Sequence, residues 1–466
     1  MKVSHAPAAV SATFDDPNLV SCAGLVPVVE LAQRCGLADL VGQRLTVREP
    51  GGVNAHLKVP ALVAGMVAGA DSIADMDMLR HGAMDVLFAG VRAPSTLGTF
   101  LRSVSFGHVR QLDAVAAVML SRLADATPLL PAADAIAFLD IDDTIKATYG
   151  YTKQGAGYGY TGVKGINALL ATLSTPAAAP VIVATRLRKG SANSARGAAR
   201  LVADALVTAA RAGADPSAGS LVILRADSAY YGYDVIAAAR RHGARFSVTA
   251  RQDPAVRRAI AAIPDDAWTA IHYPNAIWDD DQQRLISDAE VAEIGFTAFT
   301  SRAKRQHVHG RLIVRRVRDA NPVHVNVNAQ GELFAAWRHH AVFTDSPMPM
   351  LDAEAAHRGH AIIEQVIADL KSGPIAHLPS SKFTANAAWL VLAAIAFNLT
   401  RAAGCLASTF HARATGATIR RHLINVPARI ARSARRITLH LPTRWPWAED
   451  WQQLFDSLHA PPAHAA

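Results

Sequence analysis

Cysteine is scarce in this chain of 466 residues, which contains only three: Cys22, Cys35 and Cys405. They lie far apart, and no two of them have the C-x-x-C spacing of a zinc ribbon or a redox pair. The sequence therefore excludes a disulfide framework and a zinc ribbon, and it fits a reducing compartment.

The sequence also lacks a basic, then apolar, signal at its N-terminus. Its most apolar stretches, residues 60–70 and 387–399, are shorter than the run of about 20 residues with which a helix crosses a bilayer. We therefore expect a cytoplasmic protein that neither enters a membrane nor is secreted.

Intrinsic disorder is excluded because 51% of the residues are apolar, enough to form cores in about three structural units at about 150 residues each. The 47 Lys and Arg residues outnumber the 38 Asp and Glu residues, which gives a net charge of +9. This excess raises the expectation of a nucleic-acid partner, although its position in the chain matters more than its size.

Acidic residues are missing from one C-terminal stretch. Nine arginines and no Asp or Glu lie between Arg401 and Ala448. In residues 418–441 the arginines recur every three to four positions, which predicts a helix, broken at Pro427, with a basic face for DNA phosphates. A solvated surface helix is the alternative. The arginines that we assign to phosphate contact are Arg429, Arg432, Arg435 and Arg436.

The first 130 residues have apolar positions at helical spacing, notably in residues 28–45, 60–66 and 112–123. Ser95 is a predicted helix cap, residues 105–107 a break, and a second helix is expected from about His108. This pattern is typical of a helix-turn-helix that reads DNA, and equally of any pair of packed helices.

From residue 135 the pattern changes to short apolar runs of strand type. Strands are predicted at 135–142, 166–173 and 180–187, followed by a helix at 194–212, a strand at 221–227, a helix at 233–242 and a strand at 245–250. This order indicates an RNase H-like α/β fold rather than a doubly wound one, in which helices would separate all strands.

A β-rich segment follows, with strands expected at 269–274, 295–301, 310–318 and 335–344, and then helices at 353–373 and 381–404. We therefore divide the chain into five parts. These are a helical N-terminal DNA-binding domain (1–130), the first part of an RNase H-like catalytic core (131–251), a β-rich insertion (252–350), the closing helices of the core (351–404) and a basic helical C-terminal region (405–466).

Acidic residues stand where a metal site would need them. Asp140 and Asp142 share one face of an apolar strand, whereas Asp143 faces away or begins the turn; Asp227 ends another strand. Glu364 lies on a helix seven residues before Lys371, and thus on the same face. Several carboxylates at the ends of buried elements are suited to two Mg²⁺ ions that act on a phosphodiester. Each acid alone is more commonly a turn former, a cap or a surface residue.

These three motifs, around "LDIDDT", "LRADSAYYG" and "HRGHAIIEQVIADLKSG", resemble those of the DDE transposases of bacterial insertion sequences, in particular the insertion sequence thirteen-eighty group with its Y-R-E-K signature. The resemblance runs from about residue 28 to 401. It implies catalytic, metal-binding roles for Asp142, Asp227 and Glu364, with Asp140 as a helper ligand or the alternative first acid.

In the signature, Glu364 and Lys371 match, but His357 stands at the Tyr position and His360 at the Arg position. Arg358 is a neighbouring substitute. The resemblance implies that these positions contact DNA phosphates, and histidine would bind phosphate more weakly than arginine.

The resemblance also implies two Mg²⁺ or Mn²⁺ ions, binding of terminal inverted repeats and target DNA, strand cleavage and strand transfer, and a homodimer on paired ends. Such a protein would act in the bacterial cytoplasm at the nucleoid. Arg225 would neutralise a phosphate or pair with a core acid, and Trp268 and Trp278 would stack on a flipped base or pack in the β-rich segment.

Two other functions compete. Residues 140–144 also fit the D-x-D-x-T pattern of haloacid dehalogenase-like phosphatases, although these usually place the motif near the N-terminus. The second is a transposase-derived DNA-binding protein without catalytic activity, which the His357 and His360 departures favour. The glycine-rich residues 155–165 precede a strand, so they predict a hairpin rather than a phosphate loop.

Overall fold

The structure is a computed structural model that describes residues 11–149, 153–159, 161–271, 278–279, 284–285, 289–318, 337–434 and 436–459. Its N-terminal region is helical, as predicted, because its apolar residues recur at helical spacing and pack together. Gly36, with a φ of 70°, makes the left-handed turn between the first two helices. The elements are β1 (Leu19–Val20), α1 (Leu25–Arg34), α2 (Leu37–Arg44), α3 (Ala55–Ala68), α4 (Met84–Leu87), α5 (Pro94–Ser103) and α6 (Phe106–Ala126).

The predicted helix-turn-helix corresponds to α5 and α6. Helix α5 begins two residues earlier than expected, with Ala93 rather than Ser95 at its N-cap. Helix α6 begins at Phe106 because Ser105 and His108 form a reciprocal capping box. Since α6 packs along α12 (Phe383–Ala407) and α2, DNA reading by this pair stays a prediction.

A mixed α/β core follows, with the elements in the predicted order. Strand β2 is antiparallel to β4 and parallel to β6, β5 is antiparallel to β4, and β7 is parallel to β6. The spatial order is therefore β5-β4-β2-β6-β7. The elements are β2 (Ile136–Ala147), β3 (Gly157–Tyr158), β4 (Lys164–Ser174), β5 (Val181–Lys189), α7 (Ala198–Arg211), β6 (Leu221–Ala226), α8 (Tyr233–Arg241) and β7 (Arg245–Thr249). Strand β3 and the start of β4 form the expected glycine-rich hairpin.

The β-rich segment continues this sheet. Strand β13 pairs with β7, and β12, β11 and β8 follow in antiparallel order, which gives a ten-stranded sheet. The pairing covers β7, which would otherwise be an exposed edge strand. The elements are α9 (Pro254–Ala261), β8 (Thr269–Ile271), β9 (Trp278–Asp279), β10 (Arg284–Leu285), β11 (Ala289–Ala298), β12 (Val308–Arg318) and β13 (Trp337–Thr344).

The C-terminal part returns to the core and then to the N-terminal helices. Helix α12 is buried against α1, α3, α5, α6 and β5. It is long and apolar enough to cross a membrane, but the most apolar part of it is 89% buried inside the fold, as in a core helix. The elements are α10 (Met350–Arg358), α11 (Ile362–Lys371), α12 (Phe383–Ala407), α13 (Thr409–Arg413), α14 (Gly416–Ile419), β14 (Ala428–Ser433), β15 (Arg436–His440) and α15 (Ala448–His459).

The prediction of a basic helical C-terminal region was wrong for residues 428–440. A helical segment ends before Pro427, and β14 and β15 then form an antiparallel hairpin. Strand β14 alternates buried Ala428 and Ile430 with exposed Arg429, and it pairs with β1. The partner strand lies about 400 residues away in the sequence, so the local spacing of arginines did not reveal it.

Candidate active site

Asp142 and Asp227 line one groove. Strands β2 and β6 are parallel neighbours, and their last pair is Ile141 beside Ala226, so both aspartates come directly after the paired stretch. Strand β6 ends there, whereas β2 continues to Ala147 along β4. The two aspartates line a groove of about 840 Å³. Asp227 follows β6 and its Oδ1 accepts a hydrogen bond of 2.9 Å from the backbone of Ala229.

The carboxylate of Asp142 is electrostatically unfavourable where it lies. Burial, together with the negative charges of Asp227 and Asp143, raises its pKa to about 6. A 2.7 Å hydrogen bond from the backbone N–H of Asp143, together with the charge of His360, opposes this rise. Acids held close together in this way form a favourable site for a cation.

Asp143 lines the same groove and is held by three side chains. Arg188 forms an ion pair with it at 3.0 Å, and the Tyr230 hydroxyl donates a hydrogen bond of 2.8 Å. Asn167 also donates to this carboxylate. Asp143 therefore braces β2 beside Asp142, and its charge is compensated.

Two basic residues also line the groove. Lys371, the last residue of α11, is one of them. The other, Arg251, was not predicted from the sequence; its Nε donates a hydrogen bond of 3.0 Å to the Ser228 carbonyl oxygen. Its signal was its position just after β7, at the strand end next to that of Asp227.

Asp140 lies outside this groove, fully buried. Nε and Nη2 of Arg225 donate one hydrogen bond each, both of 2.7 Å, to its two oxygens, and His360 Nδ1 lies 3.1 Å from Oδ1. Of the two roles considered for Arg225, the structure shows the ion pair with a core acid. Asp142 is thus the acid of this pair of positions that faces the groove.

The signature positions contact protein groups. His357 is buried, and its ring nitrogens lie 3.0 Å from the hydroxyls of Ser247 and Thr249. Burial lowers its pKa to about 3, so the ring is neutral at physiological pH. Arg358 donates a hydrogen bond of 2.9 Å to Glu354. Both ring nitrogens of His357 are therefore already engaged.

Glu364 is exposed on α11 and does not line the groove. It precedes Lys371 by seven residues, about 10 Å along the helix axis. Within the part of the chain that the structure describes, no three His, Cys, Asp or Glu side chains are grouped closely enough to hold a metal ion. The structure thus brings Asp142 and Asp227 together without the third acid.

The remaining predicted DNA contacts lie elsewhere. Arg432 and Arg436 are exposed on the hairpin, and Arg429 forms an ion pair of 3.1 Å with Asp16. Arg435 lies outside the described residues, as does the side chain of Trp278. Trp268 is half-buried with the guanidinium of Arg316 4.1 Å from its ring centre.

Comparison with protein families supplies an independent finding. The family model described as Transposase DDE domain group 1 matches residues 4–463, nearly the whole chain. A search of curated proteins found no match.

Proposed function

Because this chain belongs to the Transposase DDE domain group 1 family, we propose that it is the transposase of an insertion sequence. It binds the terminal inverted repeats of its element and catalyses DNA strand cleavage and strand transfer. The observation that carries this proposal is the pair Asp142 and Asp227, two carboxylates that line one groove and, among the described residues, form no ion pair with Lys or Arg.

We assign the catalytic core to an RNase H-like fold. The strand order β5-β4-β2-β6-β7, with two antiparallel and two parallel pairings, supports this assignment. The strand that bears Asp142 is central in that order, and its parallel neighbour bears Asp227 at its end. In an open sheet, the ends of parallel strands are the usual place for a functional site.

The catalytic acids in this proposal are Asp142, Asp227 and Glu364. DDE transposases generally use divalent metal ions, and the oxygen ligands of Asp142 and Asp227 suit Mg²⁺ or Mn²⁺. The raised pKa of Asp142 fits a site that a cation would neutralise. When bound, two such ions supply an activated water and stabilise the leaving oxygen. Glu364 completes the set only if α11 brings it nearer to the groove.

The basic residues of the groove hold the DNA backbone. Lys371 and Arg251 lie on the same groove as the two aspartates, so a phosphodiester there would meet both positive and negative groups. Lys371 orients the scissile phosphate as a point charge, and Arg251 contacts an adjacent phosphate. The arginines of the C-terminal hairpin add contacts that are independent of sequence.

We place the chain in the insertion sequence thirteen-eighty group and expect it to act as a homodimer on paired DNA ends, at the bacterial nucleoid. The departure at His357 has a structural explanation in this view. A neutral, buried imidazole bridges Ser247 and Thr249 on β7 to α10. It therefore supports the helix that leads to Glu364, in place of a phosphate contact.

A catalytically inactive, transposase-derived DNA-binding protein is the second candidate, because Glu364 stands outside the groove. A haloacid dehalogenase-like phosphatase is disfavoured. Its nucleophile would be Asp140, and both oxygens of this carboxylate are bound to Arg225.

Cleavage of a labelled duplex that carries one end of the element tests the proposal. With Mg²⁺ or Mn²⁺ the wild-type protein should nick this DNA, whereas Asp142→Asn, Asp227→Asn and Glu364→Gln should bind it normally and cut it below detection. Asp266→Asn, at an exposed acid outside the groove, is the matched control and should cut normally. A wild-type protein that binds its end but never nicks it would establish the inactive alternative.

A further inference from the structure

A cavity lined by arginines lies on the same face of the sheet as the groove. It has a volume of about 440 Å³ and lies between β2, the loop from β4 to β5, and the start of α11. Three arginines line it: Arg225, Arg401 and Arg413. None of the described residues that line it is an Asp or a Glu.

Arg401 is a buried cation whose hydrogen-bonding groups are not all satisfied. It is only 6% exposed, it lines the cavity, and its Nε has no hydrogen-bond partner. Its Nη1 donates to the Ala414 carbonyl oxygen. Among the described residues Arg401 forms no ion pair, and the negative charge of Asp369 acts on it only from a longer distance. A buried guanidinium with an unsatisfied N–H is costly, so an anionic acceptor from outside the chain would stabilise it.

The other arginines differ in how far their charge is compensated. The charge of Arg225 is neutralised by Asp140, so this side chain lines the cavity without adding net positive charge to it. Arg413 is exposed, and its Nη2 lies 3.3 Å from the Ala177 carbonyl oxygen, which holds the side chain over the loop from β4 to β5. Arg401 and Arg413 thus provide two guanidinium groups, one deep and one at the rim.

The start of α11 closes one side of the cavity with Ile362 and Gln365. The backbone N–H of Ile362 is already bonded to carbonyl oxygens of the preceding turn, so the positive charge of the cavity comes from the guanidinium groups. A group with several acceptor oxygens and a negative charge matches two guanidinium groups.

We propose that this cavity binds a phosphate group through Arg401 and Arg413. The phosphate belongs to the DNA backbone or to a small free phosphate compound. Phe138, which lines the cavity, precedes Asp142 by four residues on β2, which places the two sites about 13 Å apart on one face. A DNA segment held in the groove would thus reach the cavity with a neighbouring phosphate.

Pyrophosphate is the probe, in titration calorimetry with metal-free protein and a chelator, so that no cleavage is involved. Wild-type protein should bind it, and Arg413→Gln should weaken binding about tenfold or more, because a charge-assisted bond is lost. Arg401→Gln should do the same. Arg258→Gln, an equal charge change at an exposed site on α9, should bind like wild type. Circular dichroism checks the fold of each variant, and the rim position of Arg413 keeps the test valid if Arg401→Gln does not fold.

Two further measurements distinguish the DNA backbone from a small compound as the source of the phosphate. If the ligand is the DNA backbone, a short duplex of arbitrary sequence should displace pyrophosphate, and Arg413→Gln should weaken duplex binding. If it is a small compound, the duplex should leave pyrophosphate bound. Equal pyrophosphate affinity of wild type, Arg413→Gln and Arg258→Gln, or no binding at all, would overturn the proposal. Because no strand is cut, this result is independent of transposase activity.

Discussion

Asp140 and Asp142 lie two residues apart on β2 and on the same face of the sheet, yet the charge of Asp140 is compensated by a basic neighbour and that of Asp142 is not. Asp140 is fully buried and receives two hydrogen bonds from Arg225 and a contact from His360. Asp142 has one backbone hydrogen bond and two neighbouring acids, and its pKa is raised to about 6. The first carboxylate is therefore used for structure, and the second is kept available for a ligand at a cost in stability.

The largest effect is expected where the buried pair is broken. Asp140→Asn leaves the Arg225 guanidinium buried without its counterion and should lower the free energy of unfolding by about 3–5 kcal/mol. Urea unfolding followed by circular dichroism measures this. The double variant Asp140→Leu with Arg225→Met should recover most of the loss. A loss below about 1 kcal/mol for Asp140→Asn would show that the pair contributes little.

In the groove, by contrast, replacing Asp142 is expected to raise the free energy of unfolding. Because the pKa of Asp142 is higher in the folded chain than its ordinary 3.8, its ionised form destabilises the fold above about pH 6. Asp142→Asn should therefore raise the free energy of unfolding by about 1–3 kcal/mol at pH 8 in a chelator, with a gain that shrinks as the pH falls from 6 towards 4. Unfolding curves at pH 8, 6 and 5 test the trend. A gain independent of pH, or a loss, would contradict it.

The smallest effect concerns His360, the second residue that contacts Asp140. His360→Gln removes a contact of 3.1 Å at a partly buried site and should cost about 1 kcal/mol. A double-mutant cycle with Asp140→Asn, in the same urea experiment, isolates the coupling between the two side chains. Strict additivity would mean that His360 stabilises the fold through other contacts, such as its stacking on His357.

Much of the core was predictable from local patterns. Period-two runs and the order of strands and helices between residues 135 and 250 reflect which residues must be buried, and they predicted the elements correctly. The same reasoning placed Asp227 at the end of a strand, whereas β2 continues beyond Asp142 to Ala147. The parallel pairing of β2 and β6 brings the two acids into one groove.

The C-terminal tail shows where such patterns fail. Arginines spaced every three to four residues fit one helix face, but the sequence Ala428–Ser433 also alternates, and β1 offers a pairing edge. The choice between helix and hairpin was decided by that distant strand. Likewise, the neutral His357 could be recognised only once Ser247 and Thr249 were seen on either side of its ring.

The sequence by itself determined the succession of elements, the placement of Asp142 on one strand and of Asp227 after another, and the concentration of arginine in the tail. These depend on hydrophobic period and on residue chemistry, which are local properties. Only the tertiary structure decided which acid is neutralised and which remains unpaired. Arg225 reaches Asp140 from 85 residues away, and the burial that raises the pKa of Asp142 arises from elements packed around it. Charge compensation is a property of three-dimensional neighbours, so it appears only after folding.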